Sequence, residues 1–102
     1  MAESELVIFE GGDRRIEVRL EAESIWLTQA QMAEVFGTSV DNIGLHLKNI
    51  YASEELSEAA TTEDFSVVRQ EGKRQVRRRL KHYNLDAIIS VGYARTGTRT
   101  RE

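Results

Sequence analysis

Cysteine is absent from the 102-residue chain, which removes disulfide staples, thiolate nucleophiles and Cys-ligated zinc together. Proline is absent too, a lack that discriminates less. There is no run of about 18 apolar residues, and no charged start leading into an apolar signal core, so neither a membrane span nor secretion is expected. The compartment expected is the cytoplasm. Histidine is scarce: His46 and His82 stand in different segments, each without a ligand-spaced partner. HExxH, paired-cysteine and Walker-type phosphate motifs are missing as well. The sequence therefore shows no catalytic centre, no metal or cofactor site and no small-molecule site, and the chain reads as a non-enzyme.

With 40% hydrophobic and 30% charged residues, what remains suits one soluble domain. The net charge of −3 conceals an asymmetry. Residues 1 to 68 hold 14 acidic and 4 basic side chains, whereas residues 69 to 102 hold 10 basic and 3 acidic ones. Phosphate neutralisation is local, so a basic half can drive nucleic-acid binding under an acidic total. The alternative is an acidic half folded against a basic one, or a plain solvated charged surface.

Residues 27 to 51, LTQAQMAEVFGTSVDNIGLHLKNIY, carry the most informative pattern. Thr28 and Gln31 form a capping-box pair that starts a first helix. Met32, Ala33 and Phe36 share one side of it, and Gly37 is suited to the left-handed turn that ends it. Ser39 then caps a second helix whose Val40, Ile43, Leu47 and Ile50 recur at helical spacing and face the first. Two short helices crossing at a glycine turn have the layout of a helix-turn-helix. At about 100° per residue, Leu45 points opposite that apolar stripe, flanked by Asp41, Asn42, Lys48 and Asn49. Asn pairs with an adenine edge, Leu meets a thymine methyl, and Lys meets phosphate or guanine. Asp41 repels phosphate, and its simpler role is a first-turn charge favoured by the helix dipole. Leu45 has the rival role of an ordinary exposed apolar residue or a subunit contact. His46 borders the buried stripe.

The basic cluster comprises Arg69, Lys73, Arg74, Arg77, Arg78, Arg79 and Lys81, with Glu71 among them. A hairpin of Phe65 to Gln70 with Lys73 to His82, turning at Glu71 and Gly72, sets Val67 opposite Val76 and Phe65 opposite Arg78. Phe65, Val67, Val76 and Leu80 then share one side. Gln70, Lys73, Gln75, Arg77, Arg79 and Lys81 make the other side basic, like the wing of a winged helix. A basic helix competes, because Val76, Leu80 and Tyr83 also fall at helical spacing. The hairpin is favoured.

Upstream, Leu6 to Phe9 and the alternating Ile16, Val18 and Leu20 read as a hairpin around Gly11, Gly12 and Asp13. Ser24 to Leu27 adds a short strand, with Trp26 as an anchor between sheet and helices. The acidic SEELSEAATTED stretch reads as a solvated helix and turn, with Ser53 offering a cap. Asn84 caps a last short helix burying Ile88, Ile89 and Val91, and Gly92 stops it. Ala94 to Glu102 reads as a loose tail. The fold expected is α+β, a small winged helix-turn-helix-like domain over residues 1–93 with an N-terminal β-hairpin and a basic β-hairpin.

The runs IWLTQAQMAEVFGTSVDNIGLHLKNIY, TTEDFSVVRQEGKRQVRR and HYNLDAIISVGY resemble the N-terminal region of the bacterial virulence RhuM family. The likeness spans roughly residues 6 to 93, and HYNLDAIISVGY is its most specific part. It implies a bacterial, virulence-associated protein whose N-terminal module is thought to bind DNA. Family members continue through an Arg-rich, RGTQFR-like stretch, and this sequence departs from them after Tyr93.

The function expected is a sequence-reading double-stranded DNA-binding module, part of a transcription regulator or virulence-associated protein. Asp41, Asn42, Leu45, Lys48 and Asn49 would face the major groove while Arg69, Lys73, Arg74, Arg77, Arg79 and Lys81 grip phosphates. A homodimer suits such a module, although no residue pattern fixes it. The alternative is a protein-interaction module of a toxin or antirepressor system, gripping an acidic partner with the basic stripe.

Overall fold

The computed structural model describes residues 5–11 and 14–96. The chain runs β1 (Glu5–Gly11), β2 (Arg14–Glu21), β3 (Ser24–Thr28), α1 (Gln29–Phe36), α2 (Val40–Ala52), α3 (Glu58–Thr61), β4 (Thr62–Glu71), β5 (Arg74–Tyr83) and α4 (Leu85–Thr96). The architecture is α+β, with a five-stranded antiparallel sheet in the order β1-β2-β3-β5-β4. Two hairpins, β1–β2 and β4–β5, flank β3. The β3–β5 seam consists of two residue pairs, Leu27 with Tyr83 and Thr28 with His82. Beyond Thr28 the chain turns away from the sheet into α1.

The capping residues act as their chemistry dictates. Gln31 N–H donates to the Thr28 hydroxyl at 3.1 Å, and Thr28 N–H donates to the Gln31 side-chain oxygen at 2.8 Å. Gly37 takes φ 66° and closes α1, with its own N–H on Glu34 O and the Thr38 N–H on Ala33 O, a Schellman pattern. The Ser39 hydroxyl accepts from Asn42 N–H at 3.0 Å and opens α2. The same Schellman pattern ends α2, but there Glu54, at φ 62°, stands where glycine is usual.

Alternation along the strands divides the sheet into two faces. Leu27 and Tyr83 point to the helices and join Met32, Ala33, Ile43, Leu47, Ile50, Ala87 and Val91 in the core, with Val18 and Ile25 packed against it. Trp26 is buried on the opposite face, so it does not bridge sheet and helices as the sequence suggests. Its ring meets Phe65 edge-on at 5.5 Å, Phe65 meets His82 at 5.1 Å, and the Arg19 guanidinium sits 4.6 Å over Phe65. The indole N–H donates to Glu21 O at 2.9 Å. A second, smaller aromatic cluster thus covers the face of the sheet away from the helices.

Several boundaries differ from those read in the sequence. Val40 and Ile89 are exposed rather than buried, since each lies at the border of its helix's apolar stripe. Ser53 ends α2 instead of starting a helix, and Ser57 caps α3. Gly92 lies inside α4, where a Cβ would come within 3.3 Å of the Phe36 ring; it is a contact glycine and not a stop. Ala94 to Thr96 continue α4 in place of a loose tail, while residues 97–102 lie outside the described residues, as do Gly12 and Asp13 of the first hairpin turn.

The β2–β3 turn carries Ala22 and Glu23 at φ 54° and 58°, between the closing pair Glu21 and Ser24. Two successive left-handed residues are the geometry that Asn-Gly satisfies, and a Cβ disfavours it. The double substitution Ala22→Asn with Glu23→Gly should therefore raise stability by about 1–2 kcal/mol, read as a higher urea midpoint at constant m. An unchanged midpoint would mean that the turn carries no strain.

Candidate nucleic-acid interface

Helix α2 presents the polar flank read in the sequence. Asp41, Leu45, Lys48 and Asn49 are exposed, Leu45 at 55%. Asn42 is half-buried because its amide donates to the Thr38 hydroxyl at 3.0 Å, so it stiffens the start of α2 and is less available as a reader than its four neighbours. The helix is fixed against α1 by its buried stripe and by Gln29, whose side-chain amide donates to Val40 O at 2.9 Å.

The basic segment is a hairpin, with the register Phe65–Leu80, Val67–Arg78, Arg69–Val76 and Glu71–Arg74. The turn is therefore Gly72–Lys73, one residue later than expected, with Gly72 at φ 64°. Moving the register by two residues leaves every side chain within the strands on its expected face. Arg77, Arg79 and Lys81 share the face that carries Tyr83 toward the helices, and Lys73 sits in the turn instead of on that face. Arg69 and Arg74 belong by register to the Phe65 face, together with Arg78. Arg78 is held by Glu71 in a two-pronged bond, Nε to Oε2 and Nη2 to Oε1 at 3.0 Å each; this bond holds the Glu71 carboxyl below its ordinary range. Arg77 and Arg79 are exposed, and Arg79 reaches Asp64 O at 3.5 Å.

Between α2 and the hairpin runs a trough made of two adjoining hollows. One, of about 340 Å³, is lined by Gln29, Val40, Arg69, Leu80, Lys81 and Tyr83 among others. The next, of about 280 Å³, is lined by Gln29, Gly44, Leu47, Lys48, Tyr51, Glu58 and Tyr83. Val40, Gly44, Lys48 and Tyr51 follow helical spacing down one side of α2, and the start of α1, at Thr28, Gln29 and Ala30, lies between that side and the ribbon. The Lys81 ammonium is bound by Glu58 at 2.7 Å, which raises its pKa. Burial pushes the Tyr51 and Tyr83 phenols up, and both remain neutral near pH 7. The Tyr51 hydroxyl pairs with that of Thr61 at 2.9 Å. Tyr51, Glu58 and Tyr83 were not singled out as site residues in the sequence, because their partners lie on other elements.

His82 is buried, and its Nδ1–H donates to Leu80 O at 2.9 Å. Desolvation lowers its pKa below the ordinary imidazole value of 6.5, and the nearby Arg19 charge acts in the same direction. The unfolded chain consequently takes up the proton first as pH falls. Stability is full above about pH 6.5 and is lost as pH drops through and below it. His82→Phe should remove that dependence, so the urea midpoint of the variant should change less than the wild type's between about pH 7.5 and pH 5.5. Parallel curves would show that His82 is not the group responsible. Among the described residues, no group of three or more His, Asp or Glu is placed to hold a metal ion, and no helix is long and apolar enough to cross a membrane.

Residues 60–102 match the model of the Virulence protein RhuM family. No curated protein and no solved structure matches the chain. The RhuM match takes in the end of α3, both strands of the basic hairpin, α4 and the residues that follow it. It also extends through Ala94 to Glu102, where the sequence reading had placed a departure from the family. The wider likeness over residues 6–59, which includes the helix pair, lies outside the matched segment.

Proposed function

We propose that this chain is a double-stranded DNA-binding module of a bacterial virulence-associated or regulatory protein. The observation that supports the reading is the side-by-side placement of a capped helix with an outward polar flank and an antiparallel ribbon with a basic face. Lys81 and Lys48 line the two adjoining hollows between them, and Arg69 enters the first from the other face of the ribbon. In this reading α2 enters the major groove, with Leu45, Lys48 and Asn49 nearest the base edges and Asp41 and Asn42 at its N-terminal end. Arg77, Arg79 and Lys81 lie against the sugar-phosphate backbone beside that groove, and Arg69, Lys73 and Arg74 extend the positive margin around the hairpin.

The mechanism is recognition without turnover. Phosphate contacts set register and orientation, and base edges supply discrimination. Fluorescence anisotropy with a random duplex tests it: log affinity should fall linearly with log salt, at a slope of about −0.9 for each phosphate neutralised. Absence of duplex binding at low salt overturns the reading and favours a module that grips an acidic protein.

A further inference from the structure

We infer that Glu58 is an intramolecular stand-in for a DNA phosphate, holding Lys81 against an arbitrary duplex and yielding it only to a matched site. The inference rests on the duplex-binding reading above.

Three observations support it. The Glu58 carboxylate is 2.7 Å from the Lys81 ammonium, across 23 residues of sequence, so it is brought there by the fold and not by local chain geometry. Both side chains are about half exposed, at 50% and 47%, and an ion pair in such a setting holds a fold only weakly and exchanges readily. The pair also lies in the trough and not on a remote surface. Glu58 lines the same hollow as Lys48 and Tyr51 of α2 and Tyr83 of β5, and Lys81 lines the adjoining hollow with Arg69.

A phosphate entering between helix and ribbon would meet the Glu58 carboxylate seated on Lys81, with Asp64 across the strands from the same lysine. An oxygen anion already seated on Lys81 removes one cation from the contact and adds like-charge repulsion at the place where the backbone must come closest. Both effects act most strongly on sequence-independent affinity, which depends on phosphate neutralisation, and least on contacts to base edges. Glu58 therefore weakens loose binding to arbitrary DNA more than it weakens binding to a matched site. Its role is to widen the gap between the two.

The test compares wild type, Glu58→Gln, Lys81→Gln and the double variant by anisotropy with a random duplex across a salt series. Glu58→Gln should bind about tenfold more tightly at about 0.05 M salt, and its slope should be steeper by about 0.9, one additional phosphate. Lys81→Gln alone should change little, because Lys81 is already occupied, and in that background most of the Glu58→Gln gain should vanish. If the wild type binds while Glu58→Gln gains nothing, or gains equally without Lys81, the inference is overturned and the DNA reading stands. If the wild type and all three variants fail to bind, the DNA reading is overturned and takes the inference with it.

Discussion

Ile43→Ala is expected to lower the stability of the chain by about 2–5 kcal/mol, the range for removing a fully buried branched side chain and leaving a cavity. Ile43 has no exposed surface and lies in the cluster formed by α1, α2, α4 and the helix-facing side of the sheet. It projects from α2 into the crossing with α1, where Met32 and Ala33 are buried. Domains of this kind have only about 5–15 kcal/mol in total, so the loss should be visible in urea denaturation as a large fall in midpoint with m unchanged. The substitution acts on the joint that aims the polar flank of α2, so it should weaken duplex binding as well, through orientation and not through charge. A loss below about 1 kcal/mol would contradict the packing described, since the site would have to collapse around the missing atoms without cost.

Replacing Arg77 and Arg79 together with Ala should reduce the steepness of the salt dependence by about 1.8, twice the contribution of one phosphate. The corresponding loss of affinity is roughly 200-fold at about 0.05 M salt and about 20-fold at about 0.2 M. Both side chains are exposed and share by register the hairpin face of Tyr83, so their removal leaves the core intact and the urea midpoint near that of the wild type. Arg78, on the opposite face and tied to Glu71, serves as the control, and Arg78→Ala should leave the slope nearly unchanged. Equal effects at all three positions would indicate a diffuse attraction to the positive half of the chain, with no directed face.

What was legible in the sequence was whatever is settled by neighbouring residues. The capping box of Thr28 and Gln31, the left-handed Gly37 and the Ser39 cap each satisfy backbone groups within four positions, so the helix pair could be read directly. The hairpin faces were also legible, even with the turn placed one residue early, because a two-residue slip preserves parity. The β2–β3 turn gave no turn signal of its own, since Ala22 and Glu23 are not residues that favour positive φ. Gly92 was misread as a helix stop because its reason for being small is the Phe36 ring, 56 positions earlier in the chain. Trp26 was placed on the wrong side of the sheet because burial alone does not choose between two faces that both have something to cover. The Glu58–Lys81 pair could not be read at all, because opposite charges 23 residues apart give no periodic signal.

Past its two-pair seam with β3 the basic hairpin is braced at Phe65 by Trp26 and Arg19, and beyond that brace it extends as an arm. From Leu80, the partner of Phe65, to the Gly72–Lys73 tip is about seven residues, or about 23 Å at strand rise. A pivot of about 13° at the brace would swing the tip by about 5 Å, close to the width of a minor groove. On the duplex-binding reading proposed above, such an arm would follow duplexes of differing groove width while the helix keeps its seat, and sequence-dependent DNA shape would be measured by leverage.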